Sequence, residues 1–133
     1  MSAFFDTNIV VYAFIIGDKQ RTARSLLKSG GVISVQVLNE FANVMTKKMR
    51  QPWSEVERFL SVIRVRFPTA APVTIETHAD AVELARDHAI PFYDALILAS
   101  AFSAQCTILY SEDFQHGRRF GGCAIINPFR RVA

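Results

Sequence analysis

Short apolar runs with the composition of β-strands alternate along this chain with longer stretches of helical period, and that alternation limits the folds open to it more than any single motif. Ala3-Phe4-Phe5, Val32-Ile33-Ser34-Val35, Thr107-Ile108-Leu109-Tyr110 and Cys123-Ala124-Ile125-Ile126 read as strands. The intervening helical patterns cover Ile9 to Ile16, Lys19 to Lys28, Val37 to Met49, Ser54 to about Phe67, Glu76 to Ala89 and Tyr93 to Gln105. Strands separated by helices connect by right-handed crossovers, so the expected class is α/β, with helices on both faces of a mostly parallel sheet. Ligands of such sheets bind outside the carboxyl ends of the strands.

Local punctuation supports the same division. Asp6-Thr7-Asn8 supplies cap residues before the second segment, and Gly30-Gly31 ends the helix that precedes Val32. Ser54 with Glu57 three residues later reads as a capping box, closed at the far end by Pro68. Val37, Phe41, Val44, Met45 and Met49 fall on one helical stripe, while Ala95-Leu96-Ile97-Leu98-Ala99 is apolar all round and therefore expected to be buried. No repeat or Pro/Gly/Ser-rich linker divides the chain, so residues 1–133 are expected to form a single domain.

Half the residues are apolar and a fifth charged, enough for a core and too apolar for disorder. The net charge of +3 permits a polyanionic partner without requiring one. The two cysteines have neither disulfide-scaffold nor zinc spacing, and the longest early apolar run is too short to span a membrane. A reducing, cytoplasmic setting without a membrane is the expectation.

Four acids sit in positions that need explaining. Asp6 and Asp113 follow strands and so belong to one edge of the sheet. Glu40 lies on the stripe with Val37, Phe41 and Val44, where an isolated carboxylate would be costly unless paired or metal-bound. Asp94 opens the most apolar helix, on a face with Ile97, Leu98 and Ala101. Each has an ordinary alternative role, as helix cap, solvated loop acid, stripe-edge side chain or dipole partner. As a set they offer the oxygen ligands that hard divalent cations require.

Phe5-Asp6-Thr7-Asn8, Asn39-Glu40-Phe41, Tyr93-Asp94-Ala95-Leu96-Ile97 and Ser111-Glu112-Asp113-Phe114, in this order over most of the chain, resemble the PIN domain family, and within it the VapC-type toxin ribonucleases. The resemblance implies a three-layer α/β/α domain with a central sheet of four to five strands and an endoribonuclease activity dependent on Mg²⁺, with Mn²⁺ as a substitute. It implies that Asp6, Glu40, Asp94 and Asp113 are the catalytic metal ligands. Thr7 and Ser111 match hydroxyl positions near the site, Asn8 would support the first acid, and Glu112 would supply or share the fourth carboxylate. The partners it implies are RNA, a cognate antitoxin protein and a second copy in a homodimer.

Arg118 and Arg119, and beyond them Lys47, Lys48, Arg50, Arg130 and Arg131, are candidates to hold an RNA backbone; Tyr12 and Trp53 are candidates to stack on bases. The apolar run from Ile9 and the apolar helix around Ala95 also suggest a face covered by another chain. Two other readings compete: a non-toxic nuclease of the same fold in RNA maturation, and a non-catalytic Mg²⁺- or phosphate-binding module. A receiver domain would want an acidic pair after the first strand and a lysine after the last, yet Phe4-Phe5-Asp6 has no pair and no lysine follows Lys48. A haloacid dehalogenase-type phosphatase would want Asp-x-Asp where Asp6-Thr7-Asn8 stands.

Overall fold

The structure is a computed structural model and describes residues 2–130. Strand β1 (Ala3–Phe5) is followed by helices α1 (Thr7–Phe14), α2 (Gln20–Ser29), α3 (Val35–Lys47), α4 (Trp53–Arg66), α5 (Ile75–His88) and α6 (Phe92–Ser103), then by β2 (Ile108–Tyr110), β3 (Arg119–Phe120) and β4 (Cys123–Ile126). The sheet order is β1-β2-β4-β3. β1 pairs in parallel with β2, and β2 with β4; β3 is antiparallel to β4. Phe5, Tyr110 and Ile126 are thus level at the carboxyl edge.

Two elements depart from the sequence reading. The expected strand at Val32–Val35 is reduced to single bridges, Phe4 to Val32 and Ser34 to Ala71, because α3 already begins at Val35 and the Ser34 carbonyl accepts the Leu38 N–H. The short hairpin strand β3 has no period to betray it; Gly121, with φ +57°, turns it back into β4. The adjacent glycines at 30 and 31 also do different work. Gly30 ends α2 at φ +97°, whereas a Cβ on Gly31 would fall 2.5 Å from the Phe5 ring and 2.7 Å from the Ala3 carbonyl oxygen. Gly31 therefore lets the Val32 segment close on the edge of β1.

The capping box lies elsewhere than expected. Pro52 precedes α4 without a side-chain cap, and Ser54 falls inside its first turn. Thr74 and Thr77 instead cap α5 reciprocally, each hydroxyl accepting the other residue's backbone N–H.

The sheet and α1 to α4 share one apolar core built on Phe4, Phe5, Ile9, Phe41, Met45, Leu109 and Ile125. Ala95 through Ala101 are all buried, as the all-round apolar pattern requires. One side of α6 packs with Ala81 of α5 through Leu96 and Ala99, while Ile97, Leu98 and Ala101 enter the main core. The apolar stretch 95–101 is covered within the chain and so gives no argument for self-association. No helix among the described residues is long and apolar enough to cross a membrane.

Candidate active site

The carboxyl edge of the sheet carries the site. Asp6 leaves β1 in extended conformation, and its backbone N–H donates to the Tyr110 carbonyl at 3.0 Å, which stitches it to β2. Its side chain is only 2 % exposed. Oδ1 accepts the Thr7 N–H at 2.7 Å and Oδ2 accepts the Ser111 hydroxyl at 2.6 Å, so the acid is both the N-cap of α1 and a buried functional group. Ser111 follows β2 directly, and its hydroxyl also accepts the Asp113 N–H at 3.0 Å. One serine thus couples the two strand-end acids.

α1 and α3 pack together, which brings Thr7 to Glu40. The Thr7 hydroxyl donates to Glu40 Oε1 at 2.6 Å, and Gln36, one turn earlier on α3, donates to Oε2 at 3.1 Å. Asn8 donates to Asp113 Oδ2 at 3.1 Å. The reading of Asn8 as a support for Asp6 is therefore corrected: from the first turn of α1 it faces the loop after β2 and supports Asp113. The carboxylate of Glu112 is paired, with Tyr12 donating to its Oε1 and Lys19 to its Oε2 at 2.8 Å.

A cleft of about 620 Å³ opens over this edge, with Thr7, Asn8, Glu40, Glu112 and Asp113 in its walls. Asp94, in the first turn of α6, and the buried Asp6 are not among its wall residues, whereas Tyr93 beside Asp94 is. The charges of Asp113 and Glu40 reach both Asp6 and Asp94. Burial first, then the charges of Asp113 and Glu40, push Asp94 up to about 6. Burial pushes Asp6 up to about 7, with Asp113 and Glu40 adding to the rise and the Ser111 and Thr7 hydrogen bonds opposing it. Among the described residues no three acidic, histidine or cysteine side chains already stand in ligating geometry about one point. The donor set nevertheless fits a hard divalent cation. It consists of oxygens alone, its charges repel, and the buried Asn8 Oδ1 beside Asp113 has no partner.

The basic candidates divide. Lys48 lines the cleft. Arg119 pairs with Ala124, itself opposite Ile108, so its backbone lies at the amino end of β2, away from the acids. Arg118 reaches the His88 carbonyl at the end of α5 and stacks 4.4 Å from the Phe120 ring. The hairpin that the sequence pattern concealed thus turns the Arg119 backbone away from the acidic edge, while the Arg118 carbonyl accepts the Ile125 N–H one residue short of that edge. Arg131 lies outside the described residues. Tyr12 lines the cleft, whereas Trp53 projects from the start of α4. His116 serves the backbone, accepting the Asn127 N–H at 3.0 Å. Asn39, Asn43 and Tyr93 also line the cleft and were not anticipated. The spacing of Gln36, Asn39 and Asn43 around Glu40 on a helix was the available signal.

Comparison with known proteins agrees with this fold. The PIN domain family model matches residues 3–119. The structure is similar to a toxin–antitoxin complex from Klebsiella pneumoniae, with TM-score 0.74, 22 % identity and coverage of 98 % of this chain and 100 % of that one. It is similar to VapC20 of Mycobacterium tuberculosis, a sarcin-ricin loop cleaving toxin, with TM-score 0.64, 22 % identity and coverage of 83 % and 88 %. It is also similar to VapBC2 of Rickettsia felis bound to a promoter DNA fragment, with TM-score 0.67, 20 % identity and coverage of 94 % and 97 %. No curated protein matches by sequence. With a family match across most of its length and the parallel-sheet architecture of these structures, the chain belongs to the PIN domain family.

Proposed function

We propose that this protein is a metal-dependent endoribonuclease of VapC type, the toxin of a toxin–antitoxin pair, acting in the cytoplasm on RNA phosphodiester bonds. The observation that carries this reading is the joining of Asp6, Glu40 and Asp113 at the carboxyl edge of the sheet through the hydrogen bonds of Ser111, Thr7 and Asn8, with Asp94 near enough to feel the charges of Glu40 and Asp113. The likeness to toxin structures supports the biological half, including an antitoxin partner; a homodimer completes the proposed assembly.

The four acids would hold Mg²⁺, with Mn²⁺ as a substitute. When bound, such an ion supplies a water of lowered pKa and charge to steady the phosphodiester during in-line attack. The chain's own groups set the stage. Ser111 and Thr7 fix the carboxylates of Asp6 and Glu40 by hydrogen bonds of 2.6 Å each. Asp6 holds from beneath, being buried, while Asp113 is exposed and meets the substrate side. Lys48 on the cleft wall offers positive charge to the RNA backbone, and Tyr93 offers a ring to an unstacked base.

The test is a brief induction in cells followed by sequencing of new RNA 5′ ends, with Asp6→Asn induced to the same level. Discrete new ends with the wild type and none with the variant are expected, together with loss of purified activity in EDTA and its return with Mg²⁺. Undiminished cleavage in excess chelator would overturn the metal-dependent reading. Cleavage without growth arrest would remove the toxin assignment and leave the nuclease.

A further inference from the structure

Glu112 is the acid that the proposed function leaves without a role, although it lines the cleft beside Asp113. Both of its carboxylate oxygens are taken, one by the Tyr12 hydroxyl and the other by Lys19 Nζ at 2.8 Å. The ion pair with Lys19 joins residues 93 apart in the chain. Every other ion pair among the described residues lies within a single helix turn of sequence. Lys19 is further held over the Tyr12 ring, 4.6 Å from its centroid, and 5.4 Å from that of Phe129, which meets Tyr12 edge-on. Such a contact between distant segments orders a loop more than it adds to surface charge balance.

The arrangement has a simple origin in α1. Asn8 and Tyr12 are one helical turn apart and share a face. The first takes Asp113 and the second takes Glu112, while Ser111 is held by Asp6. Three consecutive loop residues are thereby anchored to one strand-and-helix unit. We infer that Lys19, Tyr12 and Glu112 form a clamp that positions Asp113 in the acid cluster, and that Glu112 is a positioning residue withheld from the metal. This rests on the metal-nuclease reading above. The clamp also gives Glu112 a cationic partner, which none of Asp6, Glu40, Asp94 and Asp113 has among the described residues.

The experiment is Mn²⁺ titration by calorimetry on the full chain, without RNA, for the wild type, Lys19→Met, Glu112→Gln, the double variant, Lys19→Arg and Asp113→Asn. Partners that orient a ligand typically change metal affinity by about 10–100-fold. Lys19→Met and Glu112→Gln are each expected to weaken Mn²⁺ by about tenfold, within that range, and the double variant to be no weaker than either. Lys19→Arg should recover most of the loss. Equal Mn²⁺ affinity in all the clamp variants, with only a lower melting temperature, would overturn the clamp and leave a structural ion pair. A loss in Glu112→Gln as deep as in Asp113→Asn, with Lys19→Met unaffected, would make Glu112 a ligand and also overturn it. Absence of Mn²⁺ binding in the wild type would instead sink the metal-nuclease reading on which the clamp depends.

Discussion

Two roles that compete for Asp6 on paper coexist in the folded chain. Its carboxylate caps α1 through Thr7 N–H and also receives the Ser111 hydroxyl inside the protein. An amide at this position keeps the shape and one oxygen for the cap while removing a charge that burial disfavours. Asp6→Asn should therefore fold and, in chelator, melt no lower than the wild type, as circular dichroism would record. RNA cleavage should fall by at least about a hundredfold, the upper figure for partners one step removed from a metal. Wild-type cleavage rates on labelled RNA would remove Asp6 from the machinery. Glu40 was legible because a carboxylate on an apolar stripe breaks a periodic pattern. The Lys19 to Glu112 bond was not, since it joins residues 93 apart and neither belongs to a period. Asn8 was named for the wrong acid because a tripeptide after a strand does not reveal which neighbouring loop its third side chain will face.

Helices declared themselves more readily than strands, for a physical reason. A helix of thirteen residues such as α3 repeats its stripe several times, whereas β3 has two residues and only its partner β4 to define it. The error at Ser54 is of another kind, because a Ser with Glu three residues on satisfies a capping rule wherever the helix happens to begin. Pro52 occupies the cap position of this helix, so it starts two residues too early for Ser54 to serve. The two candidate caps make a direct comparison. Thr74→Ala should cost about 1 kcal/mol, or roughly 3–5 °C in Tm for a domain of this size, because it removes the acceptor for Thr77 N–H. Ser54→Ala should stay within about 0.5 kcal/mol of wild type, as expected away from such features. Thermal melts of both variants decide, and equal losses would refute the placement of the capping box at α5.

At the scale of the whole molecule, the fold gathers like charges at one edge of the sheet from segments spread over more than a hundred residues, from Asp6 to Asp113. This convergence was readable from topology, because both strand-end acids had to share an edge, but the inward direction of Asp94 required the packing of α6 on α3. It makes stability depend on pH with a definite sign. Asp6 is raised from 3.8 to about 7 and Asp94 from 3.8 to about 6, so both hold protons in the folded chain that the unfolded chain has released. The folded state then binds more protons across that window, and stability falls as pH rises from about 4 through 7, where the loss is complete. In chelator the wild type should consequently melt lower at pH 7.5 than at pH 5.5 as far as these two acids govern it. Asp94→Asn removes one of them and relieves its neighbours, so at pH 7.5 it should melt above the wild type, by a few degrees if the relief is about 1 kcal/mol. Millimolar Mg²⁺ should raise the wild type more than the variant, because binding stabilises in proportion to affinity for the folded state and a ligand has been lost. An acid that served only the dipole at the start of α6 would give the opposite sign, a cost of roughly 0.3–1 kcal/mol on neutralisation and no difference in response to the ion. Four melting curves at pH 7.5, two proteins with EDTA and with Mg²⁺, separate these outcomes, and a variant that melts lower in EDTA with an unchanged metal response would detach Asp94 from the acid cluster.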